Sequence, residues 1–326
     1  MSTGQTSILL ADIGGTHARF AVCTTQDQSI HYAQVLKISD HPTIYGAIDT
    51  YISTLDHRPE RAALAVAAPI LADEVNFTNS PWEFTRKQLL SQFNWQRLDL
   101  FNDFQALALT LPHLKESELY PLGRKQQIPN RTLAVIGPGT GLGVASLVPG
   151  EAGWIPVSGE GGHVTLSART EREQQILTQA RTLDEHISAE DLISGPGLVA
   201  LYSALSALNG HAPQFDDPAR ICAAARKRLE PTAVESLEHF YLFLASTAAN
   251  LALTVGALGG VYLAGGMISK NIDLLHQSDF RQRFNSHGRY SEYLARIPCF
   301  AITSDLSAMT GLAHWACDQL NELNPC

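Results

Sequence analysis

None of the five cysteines, Cys23, Cys222, Cys299, Cys317 and Cys326, stands in C-x-x-C spacing, and their number is odd. A disulfide framework is not indicated, and a chain of 326 residues does not need one to hold a core. The cysteines read as reduced thiols. Charge is also scarce, at 17% of residues with a formal net charge of -9. No lysine and arginine run forms a basic arm. The densest, Arg226-Lys227-Arg228, is soon followed by Glu230 and fits an exposed helix face. A nucleic-acid or anionic-membrane partner is therefore not expected. Residues 1–7 carry no lysine or arginine, so no secretory leader is expected and the location is read as cytoplasmic. Residues 241–269 lack charge altogether. Ser246, Thr247, Asn250, Thr254 and the pairs Gly259-Gly260 and Gly265-Gly266 interrupt them. They predict a buried helix to about residue 258, a glycine turn and a short strand over 261–264, rather than a membrane span.

Hydrophobic residues make up 45%, the ordinary level for a soluble enzyme, and the length suits two domains. Apolar runs at 8–13 and 18–23 flank Gly14-Gly15-Thr16-His17 and predict a β-hairpin. A strand over 30–38, a helix over 43–55, a strand over 62–67 and a helix over 85–93 follow, then a strand over 98–101 leading into a helix over 104–111. The pattern then restarts: a strand over 132–136, a glycine-rich turn and a strand over 144–148 precede helices over 170–183, 198–208, 218–229 and 232–258. Two rounds of strands and helices predict a duplicated α/β fold. Pro112 marks a boundary. The expected domains are 1–113, joined by a C-terminal helix within 304–326, and 114–303.

Asp12-Ile13-Gly14-Gly15-Thr16 is the first candidate site. A glycine turn lets a phosphate approach the backbone, successive N–H groups make an anion-binding concavity, and Thr16 adds a hydroxyl. Asp12 could act on a phosphate-bound magnesium through water. An empty hairpin turn fits equally well. The second candidate, from Gly137 to Gly143, includes Gly139, Thr140 and Gly141. It fits neither G-x-G-x-x-G nor G-x-x-x-x-G-K-[ST], and a strand rather than a helix follows it. It repeats the first hairpin, and the pair is more specific than either half.

Asn102-Asp103 falls where a strand meets a helix. Asp103 there is either a general base for a substrate hydroxyl or the helix N-cap. In Gly159-Glu160-Gly161-Gly162-His163, Glu160 and His163 could bind a polyol, or the segment is a flexible loop; no further ligand spacing supports zinc. Ser188-Ala189-Glu190-Asp191 has the form of a helix start, with Ser188 as cap and Asp191 as its partner. Gly265-Gly266 after an apolar strand permits close approach of a flat group such as adenine, or is a simple strand-to-helix turn.

Together, residues 10–19, Phe101-Asn102-Asp103-Phe104, the 137–143 turn, Gly159 to His163, Ser188-Ala189-Glu190 with Ser194-Gly195-Pro196-Gly197, and the 259–266 segment resemble the bacterial glucokinase family of the actin-like/hexokinase superfamily. The resemblance runs through nearly the whole chain in order. It implies a two-domain actin-like, ribonuclease H-like α/β fold with a cleft that closes on glucose, and commonly a homodimer. It implies ATP with Mg2+ as phosphate donor and glucose 6-phosphate, which feeds glycolysis, as product. It assigns Asp103 as base and Asn102, Glu160, His163 and Glu190 as sugar ligands. Gly14, Gly15, Thr16 and Gly139, Thr140, Gly141 would hold phosphates, with Asp12 beside the metal, and Gly265-Gly266 would lie along adenosine. His17 departs from the family's more usual asparagine, and no cysteine between Cys23 and Cys222 supplies the zinc motif of the related repressor–kinase group. A kinase for another hexose, a non-catalytic sugar-binding regulator and an actin-like ATPase are the rival readings.

Overall fold

The computed structural model describes residues 7–24, 29–68, 70, 73–77, 80–151, 153–181, 186–303 and 308–323. The chain groups into two compact units. The first takes Met1–His113, Gly150–Ser158 and Leu306–Cys326; the second takes Leu114–Pro149 and Gly159–Asp305.

In the first unit, β1 (Ser7–Ile13) and β2 (His17–Thr24) form the expected hairpin, and β3 (Ile30–Lys37) extends it. β4 (Arg61–Val66) precedes a small two-stranded element, β5 (Glu74–Asn76) with β6 (Glu83–Thr85), and then β7 (Arg97–Asn102). The main sheet runs β3-β2-β1-β4-β7, antiparallel on the hairpin side and parallel from β1 to β7. Ile8, Leu9, Leu10, Ala11 and Ile13 are all buried, as expected where both faces of a parallel strand are covered. The helix Ile44–Ile52 packs Ile44, Ala47, Ile48, Tyr51 and Ile52 inward, and Thr43 caps it by accepting from the Gly46 N–H. The helix Ala308–Leu323 lies on β1, β4 and the helix Asp103–Thr110. The two helices cross at Gly311, where a Cβ would collide with the Ala106 carbonyl and come within 2.8 Å of Leu109 Cβ and the Thr110 nitrogen. Trp315 meets Phe101 edge-on at 5.4 Å, and Arg97 donates to Gln319 at 3.0 Å.

The second unit begins with β8 (Leu119–Pro121), then β9 (Leu133–Pro138) and β10 (Leu142–Gly150) as the second hairpin. A further strand, β11 (Gly153–Gly159), begins in the segment Gly150–Ser158 that groups with the first unit; no sequence signal marks it. β12 (Gly260–Leu263) and β13 (Cys299–Ile302) complete the second unit's order β10-β9-β12-β13-β8. The succession β10-β9-β12-β13 repeats β2-β1-β4-β7: one antiparallel hairpin, then two parallel neighbours. Of the helices, Gly195–Leu208 and Pro231–Val255 are the longest in this unit. Gly256 ends the latter in the left-handed conformation at φ 65°. Ala245, Ala248, Ala249, Phe240 and Phe243 are buried along it, and among the described residues no helix is long and apolar enough to cross a membrane.

Candidate active site

In each unit the candidate residues gather at the carboxyl ends of parallel strands, where ligands of open α/β sheets sit. In the first unit the register Ile13↔Val66↔Asn102 levels the ends of β1, β4 and β7. Asp12 and Asp103 therefore belong to one edge of the sheet. The Gly14 N–H donates to the His17 carbonyl at 3.1 Å, so His17 closes the turn through its main chain while its side chain is exposed. The hairpin is formed with histidine at this position. A Cβ at Gly14 would meet only the His17 oxygen, at 3.6 Å, an ordinary contact. Packing does not demand glycine there; what its absence of side chain offers is an open backbone. Gly15 and Thr16 are exposed beside it. Asp12 accepts from Arg19 at 3.3 Å, and burial nonetheless raises its carboxyl above the usual range, outweighing the guanidinium.

The helix cap at 102–103 differs from the sequence expectation. Asn102, not Asp103, is the N-cap: its side chain accepts from the Phe104 N–H at 2.9 Å, and Gln105 reaches back to accept from the Asn102 N–H at 3.0 Å. Asp103 is the first helical residue. Its carboxylate also accepts from the Phe104 N–H, at 2.9 Å. Burial pushes the Asp103 carboxyl up to about 6; the Phe104 N–H opposes this, and the charge of Asp12 adds to it.

In the second unit, the turn between β9 and β10 carries Gly139, Thr140 and Gly141. The Gly139 N–H donates to the Gly141 carbonyl, and the Gly195 N–H donates to the Gly139 carbonyl, both at 2.8 Å. Nothing lies within 4 Å of a Cβ built at Gly139. The loop 159–163 runs alongside. Gly162 sits against the Leu142 carbonyl so closely that a side chain has no room, and a Cβ at Gly161 would press on Val144 at 3.0 Å. The main chain then pairs with 187–190: Leu166 N–H to Ile187 carbonyl, Ala189 N–H to Val164 carbonyl, and Glu190 N–H to Gly162 carbonyl at 2.8 Å. This ladder brings Glu190 next to Glu160 and His163 in the chain's course. The Glu160 and His163 side chains are exposed and have no hydrogen-bond partner among the described residues. The Glu190 carboxylate accepts from the Leu142 N–H at 2.6 Å.

The expected helix start at Ser188 is corrected. Ser188 and Asp191 do bond reciprocally, with the Ser188 N–H to Asp191 at 2.7 Å, but they close a turn. The helix begins at Gly195, where Ser194 accepts from the Gly197 N–H at 2.9 Å and Pro196 occupies the first turn. Glu190 is thus a turn residue rather than an early-helix acid. Gly265 has φ +88°, and a Cβ there would stand 2.6 Å from the Pro138 carbonyl oxygen. Conformation and contact with β9 both require glycine at 265. Gly266 meets only the end of Lys270, at 3.9 Å. Among the described residues no group of three or more His, Cys, Asp or Glu could hold a metal ion. Two participants carried no sequence expectation: Arg19, whose partner lies across the hairpin, and Leu142, which contributes only its N–H.

The chain has counterparts among known proteins. A family model described as Glucokinase matches residues 9–319. The chain belongs to the glucokinase family. A glucokinase of Paramagnetospirillum magneticum is 42% identical over 319 residues, covering 96% of this chain and 98% of its own length. One of Aromatoleum aromaticum is 43% identical, covering 94% and 93%. The crystal structure of a glucokinase from an Antarctic psychrotroph superposes with a TM-score of 0.88 at 35% identity, covering 97% of this chain and all of that one.

Proposed function

We propose that this protein transfers the γ-phosphoryl group of ATP to the 6-hydroxyl of glucose, with Asp103 as the general base. The observation that carries the assignment is the Asp103 carboxyl at a helix N-terminus, half-buried and raised to about 6. A base tuned there is ionised at neutral pH yet basic enough to accept a proton as the hydroxyl attacks. The oxygen–phosphorus bond to the sugar forms, the bond to ADP breaks, and the hydroxyl proton passes to Asp103.

Glu160, His163 and Glu190 hold sugar hydroxyls in this reading. Asn102 presents its amide while its carbonyl caps the helix. Gly14, Gly15 and Thr16 bind phosphate oxygens, as do Thr140 and Gly141, whose N–H groups have no partner among the described residues. Gly139 supplies the open approach and Gly265-Gly266 the adenosine-side turn. Magnesium bound with ATP would neutralise phosphate charge. Asp12, a hard oxygen donor whose carboxyl burial alone holds high, fits such a cation and would hold it through water. We also read the protein as a cytoplasmic homodimer.

The epimer is tested by measuring rates on glucose, mannose, fructose and glucosamine side by side with magnesium-ATP. Glucose is expected to give the highest kcat/KM. Equal or faster turnover of another hexose would replace glucose as the substrate and leave the kinase chemistry in place.

A further inference from the structure

Glu190 does more than its position beside the sugar loop requires. Its carboxylate accepts from the Leu142 N–H at 2.6 Å, at the exit of the phosphate-type turn. It fills the space a Gly141 side chain would occupy: a Cβ there would collide with the carboxylate oxygen and lie 3.1 Å from Glu190 Cδ. Its own N–H is bound to Gly162, and its carbonyl accepts from Ser194 Oγ at 2.9 Å, at the cap of the helix whose Gly195 N–H holds Gly139. One residue is thus tied to the sugar loop by its main chain and to the phosphate-type turn by its side chain.

The chemistry explains why that tie matters. Leu142 sits opposite Pro138 in a pair bracketed by the Gly139 N–H to Gly141 carbonyl bond, so the Leu142 N–H points away from β9 and has no partner in the ladder. The backbone of Leu142 is buried, so its N–H needs a partner. Glu190 supplies it with a charge-assisted bond, the stronger kind. With Gly139 engaged on Gly141 and Leu142 on Glu190, the donors left at the apex are the Thr140 and Gly141 N–H groups.

We propose that Glu190 is a positioning residue for the nucleotide. Its carboxylate holds the 139–142 backbone so that the Thr140 and Gly141 N–H groups face phosphate, and it transmits sugar occupancy to that turn. This rests on the kinase reading above. A sugar hydroxyl bound to Glu190 immobilises the carboxylate that immobilises the turn, so sugar and nucleotide strengthen each other's binding by the same factor.

The test is calorimetric binding of the ATP analogue AMPPNP with magnesium, with and without glucose, to the wild type and to Glu190→Ala, Glu190→Gln, Gly141→Ala and the double variant Gly141→Ala/Glu190→Ala. Thermal melts accompany each protein. Without sugar, Glu190→Ala is expected to weaken AMPPNP binding about tenfold or more, the loss expected of a hydrogen bond to a charged group. Glu190→Gln should recover most of it, because the amide oxygen still accepts from Leu142. Glucose should tighten AMPPNP binding to the wild type and not to Glu190→Ala. Gly141→Ala, which dislodges the carboxylate, should weaken binding alone but add little in the double variant. Wild-type AMPPNP affinity in Glu190→Ala, tighter binding in that variant, or additive losses in the double variant would overturn the proposal while leaving the kinase reading intact. Absence of AMPPNP binding to the wild type would bring down both.

Discussion

Asp12 lies close enough to Asp103, at the carboxyl edge of the first sheet, for its negative charge to add to burial in raising the Asp103 carboxyl to about 6. The two carboxylates at this sheet edge differ in their partners. Asp12, which has Arg19 at 3.3 Å, is the one paired with a cation. Asp103 accepts from a main-chain N–H and has no cationic partner among the described residues; burial raises both carboxyls.

Replacing Asp103 should separate activity from stability. Asp103→Asn is expected to cut kcat by about 10²–10⁴-fold with glucose affinity near the wild type. The folded-state carboxyl is raised from 3.8 to about 6, so its contribution to stability is full below 3.8 and is lost as pH rises through 6. At pH 7 the variant should therefore be more stable than the wild type, by about 1–3 kcal/mol, and the difference should vanish below pH 4. Steady-state rates and calorimetry at both pH values check the two halves.

The same group sets the acid limb of the rate profile. A base must be ionised to work, so kcat/KM for glucose should fall about tenfold per pH unit below the Asp103 value of about 6. A profile flat down to pH 5 would point to another base.

Glycines in the second unit divide by what surrounds them. Gly139→Ala meets open space and should leave stability within about 0.5 kcal/mol while raising the KM for ATP. Gly162→Ala drives a methyl into the Leu142 carbonyl and should cost about 2–3 kcal/mol. Melts and ATP titrations of the two proteins make the comparison.

Glu160 should behave as a ligand residue alone. Its side chain is exposed, so Glu160→Gln should leave the melting temperature unchanged and raise the KM for glucose. An unchanged KM would remove Glu160 from the sugar site.

An acid-sensitive contact holds the C-terminal helix. His113 and His314 stack at 3.4 Å; burial, and then His314, press His113 down to about 4. Burial also lowers His314, against Asp318. An unfolded histidine protonates near 6.5, so this pair loses stability as pH falls from 6.5 toward 4. His113→Phe should flatten that decline in thermal melts over the same interval.

Much of this was legible in the sequence because the signals are local. Glycine turns between apolar runs placed both hairpins, and the strand-to-helix step placed Asn102 and Asp103 together. What escaped was set by distance or by competing local chemistry. Asn and Asp both cap helices, so sequence could not say that Asn102 caps and frees Asp103 to be the first helical residue. Ser188 and Asp191 satisfy the capping-box pattern while closing a turn; the cap that matters is Ser194, with Pro196 in the first turn, where its missing N–H donor has no helix partner to lose. The short strands β5, β6, β8 and β13 have three or four residues each, too few for periodicity to show. Gly265 looked like room for a nucleotide, but its φ and its contact with Pro138 already require glycine. Glu190 on Leu142 joins residues 48 apart, and no local pattern announces a side chain bound to a main-chain N–H.

The central claim is that Asp103 drives transfer from ATP to glucose. The most direct measurement is ADP release from magnesium-ATP by the wild type and by Asp103→Asn, each with and without glucose, with the sugar product identified. The account predicts glucose-dependent ADP and glucose 6-phosphate from the wild type only, with the variant lower by at least about a hundredfold. Glucose-dependent ADP at similar rates from both proteins, or none from the wild type, would contradict it.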